Sequence, residues 1–287
     1  MIHIFMAEDS LEGILSAVSA AYKSRYGHAD NRIHISGELE TMELFSEYIP
    51  VETDQEAAEK VYHAVYEKIG SEALKVIEST ASSRYPERAE VIYRFLILGF
   101  ANGERAIDYL TDPNIIRIRE IYRNVGNEVC HWQEFLRFKV HQTGKMAKES
   151  VFQEEPEQGK LIPVQTEDGN RHELLTAVIA PKNKILTSIM PHFSDRFSSE
   201  NFIIYDETYD MAGIHEKHAE WFAMAAFSEA YPEILLFIKK SDSSEKQMQE
   251  LWKIFFQATD IKERSNIKLQ KQLLPGWFRK NMTEFIS

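Results

Sequence analysis

Cysteine is nearly absent from this chain, since Cys130 is the single one among its 287 residues. One thiol cannot form an internal disulfide. It also cannot supply the several thiolates that hold an iron–sulfur cluster or a multi-cysteine zinc site. We therefore expect no iron–sulfur cluster and no multi-cysteine zinc site. We also expect no other metal or cofactor, because Glu-x-x-His occurs once and no glycine-rich phosphate loop is present.

Long apolar runs are also missing. A membrane-spanning helix needs roughly 18 consecutive apolar residues, whereas the longest candidates here, residues 222–227 and 234–238, are strand-sized. The N-terminus has no basic region and no cleavage site, and Glu8 and Asp9 follow it closely, so no signal peptide is predicted. We expect a cytoplasmic protein that does not bind membranes.

Positive charge is in short supply, because 33 lysines and arginines face 45 aspartates and glutamates, which gives a net charge of −12. The excess of negative charge argues against a protein that coats nucleic acid nonspecifically, since such binding depends on lysines and arginines that displace counterions from phosphates. The balance reverses in residues 260–287, where six cations face three carboxylates. The candidate nucleic-acid contacts in this segment are Lys268, Lys271, Trp277, Arg279 and Lys280. The alternative is a solvated C-terminal helix whose aromatic residues pack inward.

Apolar spacing and capping patterns predict a mostly helical N-terminal half. Residues 2–6 and 33–35 are typical of short strands. A first helix is predicted from Leu11, with Asp9 and Glu12 as its cap, and a capping box at residues 53–56 predicts a second helix. Three further helices are predicted over residues 72–82, 86–101 and 113–131.

The second half changes to the alternating pattern of strands. Strands are predicted over residues 135–140, 174–180, 202–205 and 221–227. Residues 142–173 are predicted to form a hairpin insertion with a turn at Asp168-Gly169, and the last third returns to helix. The expected fold class is α+β, with an antiparallel sheet in the second half and a helical C-terminus. The expected domains are a mostly helical lobe at 1–110 and an α+β lobe at 111–287, with one compact unit as the alternative.

Glu128 and His131 form the chain's one Glu-x-x-His motif. On a helix the two side chains leave one face, so they could bind one metal or transfer one proton. Dimetal carboxylate bundles need this motif twice, which makes the metal interpretation weak. An acid–base role for His131 with Glu128 as its orienting group is one hypothesis. A structural hydrogen bond at a helix end is the other.

Two arginines lie next to aromatic residues, Arg137 before Phe138 and Arg196 before Phe197. His192 and Arg196 are four residues apart and would share one helical face. Guanidinium groups bind phosphate and carboxylate well, so Arg137, His192 and Arg196 are candidate anion-binding residues. We expect Glu128, His131, Arg137 and Arg196 to form one polar cluster where the long helix meets the sheet.

In their order and spacing, several short motifs jointly resemble one bacterial family, called the probable DNA metabolism protein family. The residues that carry the resemblance are Asp9, Leu11, Glu12 and Gly13, then Glu128, His131 and residues 135–138, then His192-Phe193, Arg196-Phe197 and residues 204–207, and finally Glu263, Arg264, Asn266 and Gln270 before Pro275. Members of that uncharacterised family are typically encoded beside a radical-SAM protein for DNA modification or repair, and some are fused to a uracil-DNA glycosylase.

Two features depart from the family pattern. Thr208-Tyr209 stands where a basic pair is expected after Tyr205-Asp206-Glu207, which puts an anion-binding role of that loop in doubt. The segment at residues 144–171 is longer than the short turn expected there, which indicates an insertion.

The resemblance implies an accessory or substrate-recognition protein in DNA or RNA metabolism that works with a radical-SAM partner. Because this chain has one cysteine, the cluster that such chemistry needs would belong to the partner. Two alternatives stay open. One is a stand-alone enzyme on an anionic substrate, with His131 as acid or base. The other is a structural interaction module with no small-molecule site.

Overall fold

A computed structural model describes residues 1–37, 43–142, 152–154, 161–163, 173–239, 247, 249–254, 274, 276–279 and 282. The chain divides into two compact units. Unit 1 comprises Met1–Val129 with Lys182–Ile185, and unit 2 comprises Cys130–Pro181 with Leu186–Ser287. Helices dominate the N-terminal half and a five-stranded sheet lies in the second half, so the predicted α+β class is confirmed.

Unit 1 contains a three-stranded parallel sheet in the order β2-β1-β3. Its strands are β1 (Ile2–Ala7), β2 (Asn31–Ile35) and β3 (Ser46–Pro50). Helix α1 (Leu11–Lys23) crosses between β1 and β2, as a parallel pair requires. Its N-cap is Ser10, whose Oγ accepts a hydrogen bond from the backbone N of Gly13 at 2.9 Å. The predicted cap residue Asp9 is therefore wrong by one position.

Four helices and a 3₁₀ turn complete unit 1 or begin in it. They are α2 (Gln55–Lys68), α3 (Ser71–Ala81), α4 (Arg88–Asn102), the 3₁₀ turn Gly103–Asp108 and α5 (Pro113–Phe135), which runs on into unit 2. Asp54 caps α2 by accepting from the backbone N of Ala57 at 3.1 Å, as the capping box predicts. Gly70, at φ 103°, separates α2 from α3 in a conformation that glycine adopts without strain.

Unit 2 contains a mixed sheet in the order β10-β9-β8-β7-β4. The strands of unit 2 are β4 (Lys139–Gln142), β5 (Phe152–Glu154), β6 (Leu161–Pro163), β7 (Glu173–Ile179), β8 (Asn201–Asp206), β9 (Met211–His215) and β10 (Trp221–Ala225). Strands β7 and β8 pair in parallel because helix α6 (Leu186–Arg196) lies between them in the sequence, and the other neighbours pair antiparallel. Strands β5 and β6 form a separate antiparallel pair, while the Asp168-Gly169 turn lies outside the described residues.

The two faces of this sheet are covered by different helices. On one face, α6 approaches β9 so closely that a Cβ at Gly213 would lie 2.3 Å from Sδ of Met190. On the other face, α7 (Phe227–Ala230) and α8 (Pro232–Lys239) pack Phe227 and Ile238 against β8 and β9. Within the described part of the chain, no helix is long and apolar enough to cross a membrane.

Candidate functional site

Glu128 is buried in unit 1, where its carboxylate anchors the start of the segment Lys182–Ile185. Oε1 accepts from the backbone N of Lys182 at 2.7 Å. Oε2 accepts from the backbone N of Asn183 at 3.2 Å and from Nδ2 of the same residue. Oδ1 of Asn183 in turn accepts from the backbone N of Arg84 at 2.9 Å. Both carboxylate oxygens therefore hold Lys182 and Asn183 in place, which is a structural role.

His131 lies in unit 2, half-buried among aromatic rings at the end of α5. Its ring centroid is 6.1 Å from that of Phe135 and 5.3 Å from that of Phe278. Since Glu128 belongs to unit 1 and His131 to unit 2, their joint catalytic role stays a prediction. The expected polar cluster of Glu128, His131, Arg137 and Arg196 also stays a prediction.

The C-terminal aromatic residues pack beside His131. The short helical turn Gly276–Arg279 places Trp277 5.9 Å and Phe278 4.9 Å from the buried ring of Trp132, measured between ring centroids. This packing supports the alternative in which the aromatic residues of the C-terminal segment pack inward. A nucleic-acid role for Trp277 and the half-buried Arg279 stays a prediction. Lys268, Lys271 and Lys280 lie outside the described residues.

The segments that carry Arg137, His192 and Arg196 meet in unit 2 at a cluster of phenylalanine rings. The centroid of Phe138 lies 5.4 Å from that of Phe193, 5.2 Å from Phe197 and 5.7 Å from Phe202. Arg137, His192 and Arg196 are all exposed, and each immediately precedes one phenylalanine of this cluster. We call these three residues, with the partly exposed rings of Phe138 and Phe197, the arginine face.

Helical spacing explains how α6 builds its part of the arginine face. His192 and Arg196 are four residues apart, as are Phe193 and Phe197, so the rings turn inward while the polar side chains stay in solvent. The guanidinium of Arg196 lies 5.7 Å from the ring centroid of Phe197, at cation–π distance. Arg196 is therefore an exposed cation held beside an aromatic ring.

His215 supports this ring cluster from within the sheet. Its buried ring stacks on Phe202, with centroids 4.7 Å apart and an interplanar angle of 16°. Its Nδ1 lies 3.0 Å from the backbone O of Glu200, so the ring orientation is fixed by one hydrogen bond. Among the described residues, no group of three or more His, Cys, Asp or Glu side chains could hold a metal ion.

Unit 1 contains an ion-pair cluster that the sequence patterns did not predict. Asp9, just after β1, pairs with the buried Arg88 and with Lys184, whose Nζ lies 2.5 Å from Oδ2. Burial alone would raise the pKa of Asp9, but the hydrogen bonds from Lys184 and Arg88 outweigh it and hold that pKa below its usual value. The three partners are too far apart in sequence for a local pattern to predict their contact.

The loop after β8 stabilises itself with its own carboxylates. Oδ1 of Asp206 accepts from the backbone N of Thr208 at 2.9 Å and of Tyr209 at 3.3 Å. Asp210 accepts from the hydroxyl of Tyr205 at 2.9 Å. Burial, together with this hydrogen bond to Asp210, raises the pKa of Tyr205 to about 12. The loop therefore has no basic pair at Thr208-Tyr209, and the backbone N–H groups of these two residues donate hydrogen bonds to Asp206.

The structure is that of an α+β protein in which the exposed Arg137, His192 and Arg196 each precede a phenylalanine of one ring cluster in unit 2. The chain belongs to a family described as a domain of unknown function, DUF4130, whose model matches residues 86–284. No curated protein and no solved structure matches the chain. The family match includes every residue of the arginine face.

Proposed function

We propose that this protein is a cytoplasmic accessory subunit in nucleic-acid metabolism, which recognises a nucleic-acid substrate for a radical-SAM partner through its arginine face. The observation that carries the proposal is that two distant segments meet: Phe138, which follows Arg137, packs against Phe193 and Phe197 of the segment that carries His192 and Arg196. The resemblance to the DNA metabolism family supports the biological setting, and the single cysteine is consistent with a cluster that belongs to the partner.

Charge limits where nucleic acid can bind. With a net charge of −12, most of the surface repels phosphate, so contact requires a local group of exposed cations. Arginine suits this role because its planar guanidinium donates two parallel hydrogen bonds to phosphate. The partly exposed Phe138 and Phe197 rings add surfaces on which unpaired bases can stack, which favours single strands over duplexes.

The test is an anisotropy titration of a labelled single-stranded DNA, and of the RNA of the same sequence, with the full-length protein. Replacing Arg137 and Arg196 together by alanine should weaken binding by at least tenfold, because each lost charged contact contributes about 1 kcal/mol or more.

The matched control replaces Arg105 and Arg123, two exposed arginines of unit 1, by alanine. This variant carries the same net charge but keeps the arginine face, so its affinity should stay within about twofold of wild type. Equal weakening in both double variants would show that only overall charge matters, and the arginine face would then not be the contact.

A further inference from the structure

Strand β10 forms one edge of the five-stranded sheet in unit 2. An edge strand presents backbone N–H and C=O groups that can pair with another strand, and proteins usually block such edges with a charged side chain, a proline or a covering segment. The five residues of β10 include no charged residue and no proline. In the described part of the chain, β9 is the single strand that pairs with β10. The outer edge of β10 is therefore open to a further strand.

The other edges of the two larger sheets are blocked. At β2, the backbone N of Ile33 donates to Oε2 of Glu90 in α4 at 2.9 Å. Strand β3 contains Glu47 and ends in Pro50. Strand β4, at the opposite edge from β10, begins with Lys139. Among the described edges of these two sheets, β10 is thus the exception.

The side chains of β10 are apolar on both faces. Phe222 and Met224 lie on one face, where they pack against the buried cluster formed by β8, β9, α7 and α8. Trp221, Ala223 and Ala225 lie on the other face, where Trp221 is half-buried and the two alanines are exposed. This second face therefore has one large ring beside two small side chains, which leave room for another ring.

We infer that β10 pairs antiparallel with β10 of a second copy of this chain, around a two-fold axis that passes between the two copies of Ala223. This register opposes all five residues, because Trp221 of one copy lies opposite Ala225 of the other, and Phe222 lies opposite Met224. Opposed side chains lie on the same face of a sheet, so each Trp221 ring covers the exposed Ala225 of the other copy. A register shifted by two residues would leave part of the strand unpaired.

Charge favours a second copy at this strand. The net charge of −12 makes two copies repel each other across most of their surfaces. Strand β10 is uncharged, and Glu220, which precedes it, would lie opposite Ala226 of the other copy, so no like charges are opposed. A strand from another protein is the competing occupant, and the oligomeric state of the purified chain distinguishes the two. The inference goes beyond the proposed function and does not depend on nucleic-acid binding.

The experiment is sedimentation velocity of the full-length protein over a range of concentrations. Wild type should form a dimer with a dissociation constant on the order of micromolar, because one pair of short strands buries little surface. Ala223→Lys opposes two ammonium groups and should weaken the dimer by about tenfold or more, and Ala223→Glu should do the same with two carboxylates. The control, Ala219→Lys, introduces a lysine at an exposed position between β9 and β10 and should stay within about twofold of wild type.

An equimolar mixture of the two Ala223 variants tests the register. Lysine opposite glutamate restores attraction only if residue 223 lies opposite itself, so the mixture should dimerise within about threefold of wild type. Wild type that stays monomeric at every concentration would overturn the inference, and so would a dimer that survives Ala223→Lys. Failure of the mixture to dimerise, with each variant folded by circular dichroism, would overturn the two-fold pairing at Ala223.

Discussion

Asp9 and Glu128 show how single carboxylates fix distant parts of unit 1. Both bind the segment Lys182–Ile185, which lies far along the chain from either residue. Glu128 is 6% exposed, and the hydrogen bonds that it accepts from Asn183 are buried, so their loss would leave buried donors without a partner. Glu128 therefore stabilises the fold by holding Lys182 and Asn183 in place.

Glu128→Gln should therefore destabilise the protein by about 3 kcal/mol. In either orientation, the amide nitrogen of the new glutamine would face another donor, which is the backbone N–H of Lys182 or the N–H groups of Asn183. Asn183 cannot turn its side-chain amide to offer an acceptor, because its Oδ1 accepts from the backbone N of Arg84. Urea unfolding measures the loss. Glu134→Gln, at an exposed position of the same helix, should change stability by less than about 0.5 kcal/mol. A loss at Glu128 no larger than at Glu134 would contradict the structural role.

At the scale of elements, tight packing of α6 on the sheet sets the position of His192 and Arg196. Gly213 on β9 leaves room for Met190 of α6, which is fully buried. Any side chain at residue 213 would push the helix or force Met190 into another rotamer. The packing at this point therefore fixes one half of the arginine face.

Gly213→Ala should cost about 2 kcal/mol, because the new methyl group overlaps Met190. Met190→Ala alone should cost about 3 kcal/mol through the cavity that it leaves. In the double variant the alanine at 213 fills part of that cavity, so the total loss should be smaller than the sum by about 1 kcal/mol or more. Strict additivity in urea unfolding would show that the two residues do not press on each other.

Local patterns predicted most helices, and the failures have physical causes. Residues 135–138 have strand-forming side chains, yet α5 continues through Phe135, whose ring packs near His131 and Phe278. Strand β3 was missed because it is short and ends in Pro50. The parallel pairing of β7 with β8 follows from α6 lying between them, which alternation of apolar residues along one strand cannot reveal.

The candidate site was predicted unevenly for the same reason. Arg137, His192 and Arg196 could be singled out because each precedes a phenylalanine, and those phenylalanines do share one cluster. The partners of Glu128 could not be predicted, since they are mainly backbone groups in a segment distant in sequence. Local spacing identifies which side chains are unusual, whereas tertiary contacts decide what they bind.

At the scale of the whole molecule, charge limits where nucleic acid can bind. The net charge is −12, so a contact with phosphate requires exposed cations, and Arg137 and Arg196 of the arginine face in unit 2 are exposed. The central claim is that the arginine face contacts phosphate, and salt dependence tests it because each phosphate contact releases counterions.

The most direct measurement is the slope of log binding constant against log salt concentration, for single-stranded nucleic acid with wild type and with the Arg137→Ala, Arg196→Ala variant. Each lost phosphate contact should reduce the slope by about 0.7 on a single strand, so the expected reduction is about 1.4. Lysine at both positions should restore most of the slope, because it keeps the charge. An unchanged slope in the alanine variant would show that neither arginine touches phosphate and would contradict the proposed function.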